Sequence, residues 1–173
     1  MSSSTNSAAL AGFTMTPDLC DPSGLIAGYW TDPPGVVLRF VRPARGTTKV
    51  AEWLVGAAVE QVLERFPGET QLRVVLDMTQ MTGRSATARA TLMQSAARFV
   101  PYVGQLVLVP SVHMGSTYIN VVEASVAILR LVGLRVDIEH SVDRALAKHG
   151  LAPAMPPDLT RIASPGPELS RRL

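Results

Sequence analysis

Asp77, Ser111, His113 and Ser116 come nearest, by type and spacing, to a catalytic set. His113 follows the apolar run Gln105 to Val109, at the end of a predicted parallel strand where α/β sheets usually carry their sites. Asp77 closes another such run. A His and Asp pair in one crevice is the chemistry of a general base, with Ser85, Ser111 or Ser116 as the nucleophile of a hydrolase. No Gly-x-Ser-x-Gly elbow exposes any of these serines. The plainer reading makes His113 a loop residue and Asp77 a strand-terminal cap on backbone amides, and it predicts no catalytic residue. The three histidines, His113, His140 and His149, fall in separate predicted segments without His-Glu-x-x-His spacing, so no metal site is expected. Cys20 is the single cysteine, which rules out an intramolecular disulfide and a cysteine-based metal site. Neither Gly-x-x-x-x-Gly-Lys nor Gly-x-Gly-x-x-Gly occurs, so no phosphate-cradling loop and no nucleotide cofactor are expected.

Charge is more informative. Of 173 residues 47% are hydrophobic and only 17% charged, with a formal net charge of +2. Such a chain builds one core easily and has little charge to cover its surface. It has no dense Lys/Arg stripe, so nucleic acid is not an expected partner. Yet no acidic residue lies between Asp77 and Glu123, while Arg84, Arg89 and Arg98 lie on or beside one predicted helix. These are either ordinary solvated arginines or a face that meets carboxylate or phosphate, which Arg engages in two parallel hydrogen bonds. Thr79, Thr82, Ser85 and Thr87 cluster at the start of that helix. Ser85 or Thr82 caps it; Ser85, Thr82 or Thr87 is also a candidate phosphosite, because a phosphate there meets free N–H groups and nearby arginines.

The elements that position these residues follow from periodicity. Ala27 to Thr31 and Val36 to Val41 flank the turn sequence Asp32-Pro33-Pro34-Gly35, a β-hairpin signal. From Thr48 the apolar residues recur at three and four, predicting one long helix capped by Thr47 or Thr48 and ended by Pro67-Gly68. Leu72 to Leu76 and Gln105 to Val109 read as strands buried on both faces. A loop holding Gly83 leads to a helix over Ser85 to Phe99, another helix spans Thr117 to Val132, and Leu134 to Glu139 is the last strand. The final helix runs from its N-cap Ser141 to Gly150. The helix at 118–132 is apolar nearly all round. Tyr118, Val122, Ile128 and Leu129 therefore mark either a homo-oligomer contact or the wall of an apolar pocket.

The fold class predicted is α/β: one mixed sheet of about five strands, antiparallel at the hairpin edge and otherwise parallel, with four helices. The domain is expected over 26–151, between a flexible leader at 1–25, with Phe13 and Leu19 as docking points, and a proline-rich tail at 152–173. The N-terminus has no secretory pattern, and the longest apolar stretch is too short and too interrupted to span a bilayer. A cytoplasmic protein with no membrane span is the expectation.

The element order, the strand Leu72-Arg73-Val74-Val75-Leu76-Asp77, the turn leading to Ser85 and the closing Ser141-Val142-Asp143-Arg144-Ala145-Leu146 resemble the STAS domain. The likeness is to its divergent SpoIIAA-like, STAS/SEC14-like branch of anti-sigma-factor antagonists, over about residues 27–150. In the family's phosphoregulated members an Asp-Ser-Ser-Gly type sequence occupies the turn. Here Thr82-Gly83-Arg84-Ser85-Ala86-Thr87 stands in its place, so Ser85 matches by position while the paired serine and following glycine do not. The resemblance implies a non-enzymatic signalling or scaffold domain that docks a protein partner through the turn and helix 82–98, onto an acidic or phosphorylated surface. The alternatives are a small-molecule or lipid-binding domain with an apolar pocket near 118–132 and, third, the hydrolase using His113.

Overall fold

Helices and strands alternate because the apolar period switches between two and about 3.6, and each switch falls beside a cap or a turn residue. The computed structural model describes residues 16–111 and 115–154, the side chains of residues 116 and 117 excepted. In chain order the elements are β1 (Leu19–Cys20), β2 (Ile26–Asp32), β3 (Gly35–Phe40), β4 (Ala44–Gly46), α1 (Thr48–Val55), α2 (Ala57–Arg65), β5 (Leu72–Asp77) and β6 (Met81–Arg84). They continue as α3 (Ala86–Ser95), β7 (Val103–Val109), α4 (Gly115–Leu131), β8 (Val136–Ile138), α5 (Val142–His149) and β9 (Ala152–Pro153).

The main sheet runs β1-β2-β3-β5-β7-β8, with β9 also pairing to β2. The β2–β3 hairpin is antiparallel, and β3, β5, β7 and β8 are parallel neighbours. The α/β class and the mixed sheet are as expected, but the sheet has seven strands rather than about five. The two additions lie outside the span 26–151. β1 and β9 both pair antiparallel with β2, so parts of the expected leader and tail complete the sheet edge. Leu19 is buried over Gly28, where a Cβ would come within 2.5 Å of its Cγ. The buried Asp21 carboxylate accepts hydrogen bonds from the Ser23 hydroxyl and from the N–H groups of Ser23, Leu25 and Ile26, fixing the entry into β2. Burial alone would raise the pKa of Asp21; the Ser23 hydroxyl and those three N–H groups outweigh it and hold the carboxyl below its usual value.

The helix predicted as one from Thr48 is broken at Gly56, whose N–H closes α1 on Glu52 and Trp53 before α2 begins. Counted as one broken unit, α1 and α2 leave the expected four helices. Thr47 and Ser141 are N-caps, and Gly150 closes α5 in the left-handed conformation at φ 59°. The loop expected around Gly83 is instead the strand β6, paired in parallel with β4 in a separate two-stranded sheet. Among the described residues no helix is long and apolar enough to cross a membrane.

Strand alternation divides the core in two. Val37, Val75, Val107 and Val109 point to the face that α5 covers with Val142, Ala145 and Leu146. Val36, Leu38, Leu72 and Leu108 point to the other, beneath Trp53, Ala58, Val62, Val122 and Leu129 from α1, α2 and α4. α3 packs against α1 and α4 in the same layer. Val37, Val75 and Val107 are 0% exposed, whereas their sequence neighbours Val74, Leu76 and Leu106 on the opposite face are only half-buried. One face is sealed and the other is not.

Candidate functional site: a basic cleft at the end of an apolar tunnel

The site begins with the β4–β6 pair. β4 follows β3 directly, and its parallel pairing sets Arg45 opposite Gly83 and Gly46 opposite Arg84. Gly46 also accepts a hydrogen bond from the Ser85 N–H at 3.2 Å, tying β4 to the start of α3. The Ser85 hydroxyl accepts from the Ala88 N–H at 3.0 Å, the N-cap expected from sequence. Between this corner and the start of α4 lies an open cleft of about 650 Å³, lined by Arg45, Thr82, Arg84, Ser85, Arg89 and Tyr118 among others. Its described lining contains three arginines and no carboxylate.

Arg84 is the central group. Its guanidinium carbon lies 5.5 Å from the centroid of the Tyr118 ring, a cation–π distance. Its Nη2 is sealed from solvent and has no hydrogen-bond partner among the described residues. Burial lowers the pKa of Arg84 from its ordinary value; Tyr118 acts the other way and the like charge of Arg89 lowers it further. Burial raises the Tyr118 phenol, with Arg84 opposing. The phenol is therefore neutral at physiological pH and its O–H points to the Met78 sulfur at 3.7 Å. A guanidinium stays charged in proteins, so a buried N–H group of a cation is left without an acceptor.

Behind Arg84 lies a second space. The helix layer stands off the half-buried residues Val74, Leu76 and Leu106, leaving a cavity of about 180 Å³ lined almost wholly by apolar side chains of β3, β5, β7 and the helices α1 to α4. That is roughly ten times the room one buried water needs. The lining follows β5 from Leu72 to Leu76 and on to Met78, about 20 Å at strand rise. At the Leu72 end stand Tyr102, Val103 and Leu134; at the Met78 end stands Arg84, the one described residue common to tunnel and cleft.

The sequence candidates divide accordingly. Arg84, Arg89, Thr82, Ser85 and Tyr118 are gathered in the cleft. Val122 and Leu129 line the tunnel. Arg98 is exposed in a short 3-10 turn after α3, and Thr87 is exposed beyond the cleft lining. Ile128 is 48% exposed on the outer side of α4, one turn before Leu131. Asp77 is 1% exposed. Its Oδ1 accepts from the Thr79 N–H and hydroxyl, and its Oδ2 lies 3.6 Å from Arg39 Nε. Those contacts match the capping reading of Asp77. Ser111 is buried. His113 lies outside the described residues, as does the side chain of Ser116.

Sequence reasoning missed Arg45, because the three-residue β4 carries no periodicity and its partner is reached only through long-range pairing. It missed most of the tunnel as well, placing the pocket beside α4 when α1, α2 and α3 form much of its wall. Comparison with family models, with curated proteins and with solved structures finds no match to this chain.

Proposed function

We propose that this chain is a non-enzymatic binding domain, STAS-like in its element order, that takes an anionic group of a partner into the cleft formed by Arg45, Arg84 and Arg89. The observation that carries the reading is the sealed, unpartnered Nη2 of Arg84 in a cleft whose described lining has no carboxylate. Burying part of a cation without an acceptor is unfavourable, and an incoming carboxylate or phosphate removes that penalty with charge-assisted hydrogen bonds. The partner in this reading is a protein with an acidic or phosphorylated surface, met in the cytoplasm. Ser85 sits in the same cleft, so its phosphorylation would place a competing anion beside the arginines. Ile128 and Leu131, 48% and 86% exposed and one turn apart on α4, support a homo-oligomer.

The test is a titration with hexaglutamate and with a serine-phosphorylated peptide, at two salt concentrations. Arg89→Glu should weaken both by about tenfold or more and flatten the salt dependence, while Arg98→Glu leaves them within about twofold. Equal losses from the two variants would place recognition elsewhere. A second reading, small-molecule binding, is favoured by the tunnel, whose apolar length no protein surface loop would need.

A further inference from the structure

We infer that tunnel and cleft form one binding site for a single-chain amphiphile, with its acyl chain along the inner face of β5 and its carboxylate or phosphate head on Arg84, assisted by Arg45 and Arg89. The inference rests on the cleft being an anion site and changes what carries the anion.

Each end of the site has the chemistry of one end of such a molecule. The lining of the tunnel follows β5 for about 20 Å by strand rise and is apolar but for Ser125 and Arg84, which suits an extended hydrocarbon chain better than a polar ligand. Met78 and Met93 in its wall are adaptable side chains, able to follow a flexible chain. The half-buried Val74, Leu76 and Leu106 would gain the burial that Val37, Val75 and Val107 already have on the opposite face. The charged end is equally specific. Among the described residues only Arg84 lines both spaces, and it stands at the C-terminal end of β5, where α/β sheets carry ligands. A chain laid in the tunnel brings its head group to the guanidinium whose buried N–H lacks an acceptor among the described residues. Arg45 and Arg89 border the same opening and hold a second and third positive charge near that head.

The experiment is calorimetric titration of the full chain with dodecanoate, dodecyl phosphate, dodecan-1-ol and inorganic phosphate, all below micelle-forming concentrations. The two dodecyl anions should bind at least about tenfold more tightly than the alcohol, as charge-assisted hydrogen bonds require, and more tightly than inorganic phosphate. Their order tells whether carboxylate or phosphate is the preferred head. Arg84→Met should bring both anions to the affinity of dodecanol and leave dodecanol within about twofold. Val74→Phe, which fills the tunnel, should weaken all three dodecyl compounds, and Leu106→Phe serves if that variant does not fold. Dodecanol binding as tightly as dodecanoate, or anion binding indifferent to Arg84→Met, would overturn the joint site. Inorganic phosphate bound as tightly as dodecyl phosphate, with Arg84 required, would overturn the amphiphile and leave the anion cleft standing. No binding of any anion would remove both.

Discussion

Val74 and Val75 are adjacent on the central strand and point to opposite faces, and the same substitution should act on them with opposite sign. Val75 is 0% exposed against the residues that α5 packs down, whereas Val74 is half-buried and faces the tunnel. Val74→Phe adds four carbon atoms to that space. At about 0.8 kcal/mol per buried methylene the ceiling is near 3 kcal/mol, and the rigidity of the ring brings the expected gain to about 1–2 kcal/mol. Val75→Phe has no space to enter, and overpacking a sealed core costs about 1–3 kcal/mol. Urea denaturation followed by circular dichroism reads both. The midpoint should rise for Val74→Phe and fall for Val75→Phe, with unchanged m-values. Equal losses for the pair would show that the helix layer closes onto the sheet and that no tunnel exists in solution.

Three other outcomes follow from the packing and the ion pairs. Gly35→Ala should cost about 2 kcal/mol or more, because its Cβ would lie 2.1 Å from the Arg73 carbonyl oxygen and force β3 from β5; a melting temperature equal to the parent's would contradict the close approach. Glu139 is buried with its carboxylate 2.6 Å from Lys148 Nζ and 3.1 Å from Arg144 Nε. The Lys148 hydrogen bond holds its pKa below the usual value, against burial, with the charges of Lys148, Arg144 and His149 adding to it. That stability is present above the unfolded glutamate value of about 4.3 and is lost as pH falls through the lower folded value. Glu139→Gln should therefore be less stable than the parent at neutral pH, with the gap closing in acid; a gap independent of pH would refute the pairing. Leu131, 86% exposed on α4, should govern self-association, so Leu131→Glu should lower the mass seen by light scattering at high micromolar concentration, and a monomeric parent would remove the homo-oligomer.

The parallel strands, the hairpin and the caps were legible because each depends on local sequence. Val74-Val75-Leu76 has no alternation and needs cover on both faces, Asp32-Pro33-Pro34-Gly35 turns the chain, and Thr47, Ser85 and Ser141 stand where helices begin. The acid-free stretch singled out Arg84, Arg89 and Ser85, and the fold gathers all three in one cleft. What sequence could not supply was distance. Leu19–Cys20 and Ala152–Pro153 are too short for a periodic signal, and they become strands only because the β2 edge offers them N–H and C=O partners. Arg45 joins the cleft through the β4–β6 pairing, and Arg98 lies outside it because it sits about 13 Å beyond Arg89 at helix rise. The tunnel is a gap between layers, and periodicity reports which residues face inward without reporting how closely two layers approach.

An anion held by Arg84 at the mouth of the tunnel should be visible in nuclear magnetic resonance of the arginine side chains. With the Nε–Hε groups labelled and assigned, dodecyl phosphate should shift the Arg84 signal most, move Arg45 and Arg89 as well, and slow the solvent exchange of the Arg84 protons. Arg98, outside the cleft, should not move. A shift spread evenly over all exposed arginines, or an Arg84 signal that stays in place at saturating ligand, would contradict the account.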